Sequence, residues 1–244
     1  ANLKQFGFSV GEVKVASDLE TIASWIKAGE VDVYFDSPYP AMIINEKTGA
    51  QPILRRWKDG QPDYHTVIFT MSDRKIKSLA DLKGKMIGFD EVSSTTGYLL
   101  PMNQLLKAGL KPVETSPTNE VVKADEVGYV FSDDDENTIQ WVINGKVAAG
   151  AVDINSFMEV PEESRKAITI LAESEKVARH VVMVKPGMAP QQVEAIKAAL
   201  MAMDKTPEGK TILKEFEETA KFDEFPTQAD IDKMRKLYEE VKNK

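Results

Sequence analysis

The sequence contains no cysteine and only two histidines among its 244 residues. The lack of cysteine excludes disulfides, thiolate nucleophiles and cysteine-ligated zinc. His65 and His180, far apart in the chain, are the only histidines that could act as a general base. This composition disfavours an enzyme that uses its site for deamination or group transfer, and it implies no cofactor.

Long apolar runs and an excess of positive charge are also missing. No apolar run approaches the roughly 18–20 residues that a membrane span needs. The formal net charge is −8 at pH 7, whereas a protein that binds a nucleic-acid backbone normally has clustered Lys and Arg and a basic balance. Nucleic acid is therefore not an expected partner, and any anion must be bound by a local arrangement of donors.

The first residues resemble the end of an element rather than its beginning. Residues 1–6 have the pattern of the last turns of a helix closed by Gly7, with no capping residue or strand before them. We therefore expect that the chain starts inside a larger precursor and that its first lobe lacks the first strand. The missing targeting signal then says little about the compartment.

Short apolar runs alternate with segments of helical period, which is typical of a mostly parallel sheet covered by helices. Strands are predicted near residues 13–16, 31–35, 51–56, 66–71, 86–89, 127–131, 148–152 and 180–184. Helices are predicted near residues 19–28, 42–44, 97–108 and 138–143, and after Pro190, Thr206 and Thr227. The Asp59-Gly60 pair is a strong turn signal, and the strands beside it indicate an antiparallel excursion.

This pattern predicts a two-lobed α/β fold with mixed sheets and two hinge crossovers. We place lobe one at residues 1–85, lobe two at 86–184, and the return to lobe one with the C-terminal helices at 185–244. A chain that leaves one lobe, builds a second and returns makes a hinge with a cleft.

Four consecutive hydroxyl residues, 93–96, stand between a predicted strand and a predicted helix. Free backbone N–H groups at a helix start carry partial positive charge, and neighbouring hydroxyls add donors that point the same way. Gly97, which follows them, permits close approach of a ligand. The segment predicts an oxyanion site, although a single Ser or Thr would satisfy an ordinary helix cap.

Residues 94–101, Ser-Thr-Thr-Gly-Tyr-Leu-Leu-Pro, resemble the Ser-Thr-Ser-Gly-Tyr-Leu-x-Pro signature of the phosphonate-, phosphite- and phosphate-binding proteins of ABC importers. These proteins are a branch of the type II periplasmic binding fold. Residues 29–33, 78–85 and 144–153 are similar to further family segments. The resemblance implies a monomeric solute-binding protein, not an enzyme, that captures a small oxyanion for a membrane permease. It also implies a location in the periplasm or at the outer face of the membrane, and it is compatible with a lipid-anchored precursor.

The resemblance also assigns roles to individual residues. Ser94, Thr95 and Thr96, with Ser93 beside them, would hold the oxyanion. Asp153 would accept a hydrogen bond from a protonated ligand oxygen or pair with an amino group, unless it only caps the next helix.

The loop after the strand near 31–35 departs from the family pattern. Relatives usually carry Gly-Pro and then a Tyr, whereas this chain has Asp36-Ser37-Pro38-Tyr39-Pro40. Ser37, Tyr39 and Asp36 are the candidate contacts there. Tyr64 matches a second family position where an aromatic residue reaches the ligand, and Tyr34 and Phe35 are predicted to pack in the core.

A second departure is an acidic pair, Asp135-Glu136, where phosphonate-binding relatives carry His-Asp. Carboxylates beside a dianion are repulsive unless the ligand brings a positive group. Either the ligand is zwitterionic or this loop is solvated and points away, and the second interpretation is slightly favoured. The acidic run 133–136 lacks the alternating ligands and glycine of an EF-hand loop, so no metal is predicted.

Two further features are assigned structural roles. Arg55 and Arg56 are predicted to lie mainly at the surface, with either as a reserve anion contact, because residues on a strand alternate. The apolar face formed by Met234, Leu237, Tyr238 and Val241 is predicted to dock on lobe one. Two alternatives to import remain: a sensor domain that reports ligand to a signalling protein, and a binder of sulfonates, thiamine precursors or other small molecules.

Overall fold

The computed structural model describes residues 3–115 and 121–244. In chain order its strands are β1 (Val33–Asp36), β2 (Gln51–Lys58), β3 (Asp63–Tyr64), β4 (Thr66–Met71), β5 (Met86–Phe89), β6 (Pro112–Glu114), β7 (Val127–Phe131), β8 (Ala149–Asp153), β9 (Ile168–Glu173), β10 (Val177–Ala178), β11 (His180–Val184) and β12 (Thr219–Asp223). Its α-helices are α1 (Leu19–Ala28), α2 (Pro38–Thr48), α3 (Leu100–Lys107), α4 (Asp135–Ile143), α5 (Ile154–Glu159), α6 (Glu162–Arg165), α7 (Pro190–Met201), α8 (Pro207–Glu215) and α9 (Gln228–Val241). Short 3₁₀ turns cover Leu3–Phe6, Ser72–Arg74, Leu79–Leu82 and Met203–Lys205, and a π-helical turn, Thr95–Leu99, leads into α3.

Contacts divide the chain into two compact units. The first consists of Ala1–Asp63 and Val177–Lys236, and the second of Tyr64–Lys176 and Leu237–Lys244. The first two of the three changes between units, at 63/64 and 176/177, come earlier in the chain than the sequence-based crossovers at 85/86 and 184/185. The first comes earlier because β4 pairs with β8 and β9, and the second because β11 pairs with β1 and β2.

The first unit contains a four-stranded sheet in the order β1-β11-β2-β12, in which all neighbours are antiparallel. Leu54, Val182, Leu213 and Phe222 form its core cluster. Asp18 caps α1 by accepting a hydrogen bond from the Thr21 amide at 2.8 Å, which supplies a partner for one of the free donors at a helix start.

The prediction of a strand at residues 13–16 is wrong. These residues have no regular secondary structure, and Val13 and Val15 are 88% and 87% exposed. Lys14 is instead held by an ion pair with Glu30 at 2.6 Å and lies over the Trp25 ring. Among the described residues, no strand pairs with this segment, and an alternating apolar pattern is stable as a strand only with a neighbour.

The expected surface positions of Arg55 and Arg56 are also wrong, because both side chains are buried in the first unit. β2 lies between β11 and β12, so both of its edges are paired, and Arg55 and Arg56 are 7% and 2% exposed. Arg55 forms ion pairs with Asp63 and Asp223. Arg56 pairs with Glu217 at 3.0 Å and stacks on the Phe216 ring. These charges are already compensated inside the unit, which argues against either arginine as a reserve anion contact.

The second unit contains a six-stranded mixed sheet in the order β6-β7-β5-β8-β4-β9. The neighbours from β6 to β8 are parallel, and β4 and β9 are antiparallel additions. Its core cluster is made of Val67, Phe69, Val130, Ile139, Val142, Val147, Val152, Phe157 and Val160. The sequence-based ranges of β5, β7 and β11 are confirmed residue for residue.

The Asp59-Gly60 turn forms, but it does not join a hairpin of β2 and β4. Both turn residues have positive φ, 53° and 72°, and the Gln61 amide bonds to the Lys58 carbonyl at 2.9 Å. The two strands predicted to flank the turn then enter different sheets, which corrects the expected antiparallel excursion.

The last residues of α9 group with the second unit, where the sequence predicted docking on lobe one. The Asn103 side-chain amide donates to the Glu240 carboxylate at 2.6 Å, and Leu237 and Val241 are buried. Across the described parts of the chain, no helix is both long and apolar enough to cross a membrane.

Candidate ligand-binding site

Polar side chains of the second unit converge where β5, β7 and β8 end. These three strands are parallel neighbours, so their carboxyl ends lie at one edge of the sheet. Asp90 follows β5, the loop after β7 leads to Asp135 at the start of α4, and Asp153 ends β8. Such an edge is where open α/β sheets place ligands.

The hydroxyl residues form the turn that follows β5. Ser94 caps it, because its hydroxyl accepts a hydrogen bond from the Gly97 amide at 2.9 Å. Thr95 and Thr96 are buried within the π-helical turn. The Ser93 hydroxyl instead donates to the Glu91 carboxylate at 3.0 Å. The structure thus keeps three of the four hydroxyl residues in one turn and directs the fourth toward an acid.

Gly97 is required by close packing against Asp90. A Cβ atom at position 97 would lie 2.3 Å from the Asp90 Cβ and 2.9 Å from the Ser94 hydroxyl oxygen. The Asp90 amide also donates to the Gly97 carbonyl at 3.3 Å. The turn therefore closes on Asp90 itself, and any side chain at position 97 would force the two apart.

The backbone of Asp90 joins this turn to the loop after β7. Its carbonyl accepts hydrogen bonds from the amides of Ser132 at 3.2 Å and Asp133 at 3.0 Å. Asp133 has a φ of 72°, which lets the chain reverse before Asp134 caps α4 through the Asn137 amide. The start of α4 is thus fixed relative to the hydroxyl turn.

Sequence reasoning missed Thr66, a fully buried residue of β4. Its hydroxyl donates to the Thr96 carbonyl at 2.6 Å and lies 3.2 Å from the Val152 carbonyl. Thr66 thereby fixes the hydroxyl turn beside the end of β8. The only signal in the sequence is a hydroxyl residue at the start of an otherwise apolar run.

Asp153 acts as a helix cap. Its carboxylate accepts hydrogen bonds from the Asn155 amide at 2.7 Å and from the Ser156 hydroxyl at 2.9 Å. The structure therefore shows the capping interpretation of this residue, and its contact with a ligand stays a prediction.

Asp135 is half-buried, so the interpretation of a solvated loop is wrong for this residue. Burial raises the pKa of Asp135 to about 7; the Ser156 hydroxyl opposes that rise, and the carboxylates of Asp153 and Asp90 add to it. One carboxyl oxygen, Oδ1, is buried without a hydrogen-bond partner. Burial likewise raises the pKa of Asp90. Glu136 is exposed, as a solvated loop requires.

The loop that precedes α2, in the first unit, is organised by Asp36. Its carboxylate accepts hydrogen bonds from the Tyr34 hydroxyl at 2.5 Å and from the Ser37 amide at 2.7 Å. Ser37 occupies the cap position, and Pro38 and Pro40 fall in the first turn, where each removes a backbone donor. This helix start offers fewer amides to an anion than an ordinary one.

Tyr34 and Phe35 pack as predicted. Tyr34 is buried, and Phe35 makes ring contacts with Phe216 and Phe222. Tyr39 is also buried within α2. In the second unit, Tyr64 is buried, and the neighbouring His65 ring pairs with Glu173 at 3.2 Å. His65 therefore has a structural contact.

No group of three or more acidic or histidine side chains within residues 3–115 and 121–244 is arranged to hold a metal ion. A cavity of about 190 Å³ lies in the second unit, lined by Leu100, Asn103, Gln104, Lys107, Ser174, Glu175 and Leu237. None of the predicted ligand contacts lines this cavity.

Comparison with known proteins places the chain among binding proteins. The family model described as "ABC transporter, phosphonate, periplasmic substrate-binding protein" matches residues 4–230. The phosphate-import protein PhnD of Mycolicibacterium smegmatis is 25% identical over 203 residues, which cover 80% of this chain and 61% of the relative. The match thus spans less than two thirds of that protein.

Two solved structures have the same fold. XAC2383 from Xanthomonas citri bound to ATP has a TM-score of 0.91 and 26% identity, covering 99% of this chain and 90% of the other. PhnD1 from Prochlorococcus marinus in complex with methylphosphonate has a TM-score of 0.66 and 16% identity, covering 99% and 89%. At that identity the second likeness concerns the fold alone. The prediction of a type II periplasmic binding fold is confirmed.

Proposed function

The chain belongs to the phosphonate periplasmic substrate-binding protein family of ABC transporters, and from this premise we propose that it captures a small phosphorus oxyanion for import. The observation that carries the proposal is the turn Ser94–Gly97, which begins just after β5 with buried threonines and a glycine that packs on Asp90. Phosphonate, phosphite and phosphate share the tetrahedral oxygens that such a turn of hydroxyl and amide donors recognises.

In this proposal binding needs no covalent step. The hydroxyls of Ser94, Thr95 and Thr96 and backbone amides of the turn donate hydrogen bonds to the ligand oxygens, with the Ser94 proton turning from Asp90 to the ligand, and burial strengthens each bond. Catalysis is not part of the proposal, because His65 is paired with Glu173 and His180 lies beside Arg56. Burial, with the charge of Arg56, lowers the pKa of His180 well below its ordinary value.

The partners and the location follow from the family. We propose a membrane permease as the partner, the periplasmic or outer face of the membrane as the location, and a monomer as the working form. A lipid-anchored precursor is part of the same proposal.

The ligand class is narrowed by the acids at the sheet edge. Asp90, Asp135 and Asp153 lie beside the hydroxyl turn, and a dianion there requires a compensating proton or a positive group on the ligand. An aminophosphonate is therefore the second candidate. The Xanthomonas citri relative bound to ATP adds a phosphate ester to the candidates, because its terminal phosphoryl group offers the same oxygens.

We also propose ligand contacts for Asp36, Ser37, Tyr39, Tyr64 and Ser93. The Asp36 carboxylate is already engaged by Tyr34 and Ser37, so its part in binding would be to fix the loop. Replacement of Tyr39 or Tyr64 by Phe tests a hydroxyl contact at each position.

A thermal-shift panel on ligand-stripped protein tests the proposal. It contains phosphate, phosphite, methylphosphonate, 2-aminoethylphosphonate, ATP, sulfate and two sulfonates. A ligand that binds only the folded state raises the midpoint temperature of thermal unfolding by mass action. Shifts confined to phosphorus compounds support the proposal. A flat panel, or shifts with sulfonates alone, contradicts it.

Substitutions in the turn test the site. Ser94→Ala and Thr95→Ala should each weaken binding of the responding ligand about 10- to 100-fold, the effect of losing one hydrogen bond to a charged group. Ser164→Ala, at an exposed serine of α6, is the matched control and should bind normally. Affinities are compared by calorimetry, since loss of the Ser94 cap also lowers stability. Unchanged affinity in both variants would mean that the turn is not the site.

A further inference from the structure

We infer that Asp135 binds the ligand as a neutral carboxylic acid, so that at alkaline pH capture of an oxyanion also takes up one proton. The inference rests on the proposed function, because it assigns a role within the same site. It explains how an acidic sheet edge accepts an anion.

The first ground is the set of groups that surround Asp135. Asp90 faces it from the end of β5, Asp153 from the end of β8, and the Ser156 hydroxyl from α5. β4, which also contacts α4, carries no charged residue. At the start of α4, the Asp134 carboxylate accepts a hydrogen bond from the Asn137 amide, and Glu136 is exposed. The strongest influences on Asp135 are burial, one hydroxyl and two carboxylates, and no cation is among them.

The second ground is that the other carboxylates are committed to acceptor roles. Both oxygens of Asp153 accept hydrogen bonds, from the Asn155 amide and the Ser156 hydroxyl. The Asp90 carboxyl interacts with the Ser94 hydroxyl, which lowers its pKa against the effect of burial. Like charges at short range cannot all be retained in a buried cluster. A shared proton therefore resides on Asp135, whose pKa is raised to about 7.

The third ground is an unused atom. Oδ1 of Asp135 is buried and has no hydrogen-bond partner, and leaving such a group unsatisfied is costly. A neutral carboxyl that donates to a ligand oxygen removes that cost, and the negative ligand in turn favours the proton. Ligand and proton then strengthen each other's binding, as linkage requires.

The test compares methylphosphonate binding by the wild-type protein, D135N and E136Q in calorimetry from pH 6 to pH 9. Asparagine is a permanent donor that cannot ionise, and Glu136 is the exposed neighbour. The titration of the ligand itself is common to all three proteins and cancels in ratios of their association constants. The wild-type to D135N ratio should fall about tenfold per pH unit above pH 7, and E136Q should follow the wild type.

A second measurement covers the case in which D135N folds poorly. Binding enthalpies of wild type and E136Q in two buffers of different ionisation enthalpy give the protons taken up at pH 8. We expect wild type and E136Q each to take up about one proton on binding, beyond the protons that the ligand's own titration accounts for.

The outcomes separate the inference from the proposed function. Methylphosphonate binding with a flat wild-type to D135N ratio, or with no extra proton, overturns the inference alone. A wild-type to D135N ratio that rises with pH also overturns it, because the ionised acid would then be the binding form. Absence of phosphorus-ligand binding by the wild type at every pH overturns the proposed function and the inference with it.

Discussion

At the scale of single residues, Asp135 makes the stability of the unliganded protein depend on pH. Its pKa is about 7 in the folded protein against the ordinary 3.8, so the folded state binds more protons than the unfolded state between these values. Its contribution to folding is therefore fully present below about pH 4 and is lost as the pH rises through about 7.

Asp135→Asn should remove this loss. We expect the variant to match the wild type at pH 4 and to exceed its free energy of unfolding by about 2–4 kcal/mol at pH 8. Urea denaturation of both proteins at pH 4 and pH 8 measures these free energies of unfolding. Glu136→Gln is the control, and its free energy of unfolding should change between the two pH values as that of the wild type does. Equal stability of Asp135→Asn and wild type at pH 8 would show that folding does not raise the pKa of Asp135.

The residue scale also shows what the sequence could not predict. The hydroxyl run was recognisable because four such residues are adjacent in the chain. The raised pKa of Asp135 was not, because it depends on burial in the fold and on the charges of Asp90 and Asp153, which come from other strands. Thr66 escaped for the same reason, since its partners are carbonyl groups of Thr96 and Val152.

At the scale of elements, the turn Thr95–Leu99 depends on the missing side chain of Gly97. Gly97→Ala would place a Cβ atom 2.3 Å from the Asp90 Cβ, so the turn must move away from β5. We expect the free energy of unfolding to fall by about 1–3 kcal/mol. We also expect weaker binding of the ligand that stabilises the wild type in the thermal-shift panel.

Gly11→Ala is the control for this substitution, because a Cβ atom there meets no other atom within 4 Å. Chemical denaturation and ligand titration of both variants measure the effect. Normal stability and binding of Gly97→Ala would show that the turn relaxes without cost.

Strands were predicted accurately where the apolar run is buried by neighbouring elements. β5, β7 and β11 were predicted with their full ranges because each is a short apolar run that neighbours cover. The run at residues 13–16 has the same local pattern, yet its valines are exposed. Local sequence reports the capacity to form a strand, whereas pairing decides whether one forms.

At the scale of the whole molecule, the last residues of the chain complete the second unit. Leu237 is 3% exposed and lines the cavity beside α3. Leu237→Ala should lower the stability by about 2–3 kcal/mol, through lost apolar contact and a larger cavity.

Ile212→Ala, at a residue that is 47% exposed in α8, is the control and should change stability far less. Thermal and chemical denaturation measure both variants. Similar losses in the two would show that the end of α9 does not support the second unit.

The two-part organisation was predictable from the alternation of strands and helices, but the division points were not. They depend on β4, whose partners β8 and β9 come from much later in the chain. The first-unit sheet likewise combines distant segments, so its antiparallel order is a property of assembly rather than of any one stretch of sequence.

The backbone of Asp90 has a consequence for the evolution of this protein. Its amide and carbonyl join the hydroxyl turn to the loop after β7, so an insertion or deletion in either loop would displace the other. Descendants with new preferences are therefore expected to retain both loop lengths and to diverge by side-chain replacement. Position 135, where a half-buried side chain lies beside this junction, is one place where such a replacement would change the site without changing either loop length.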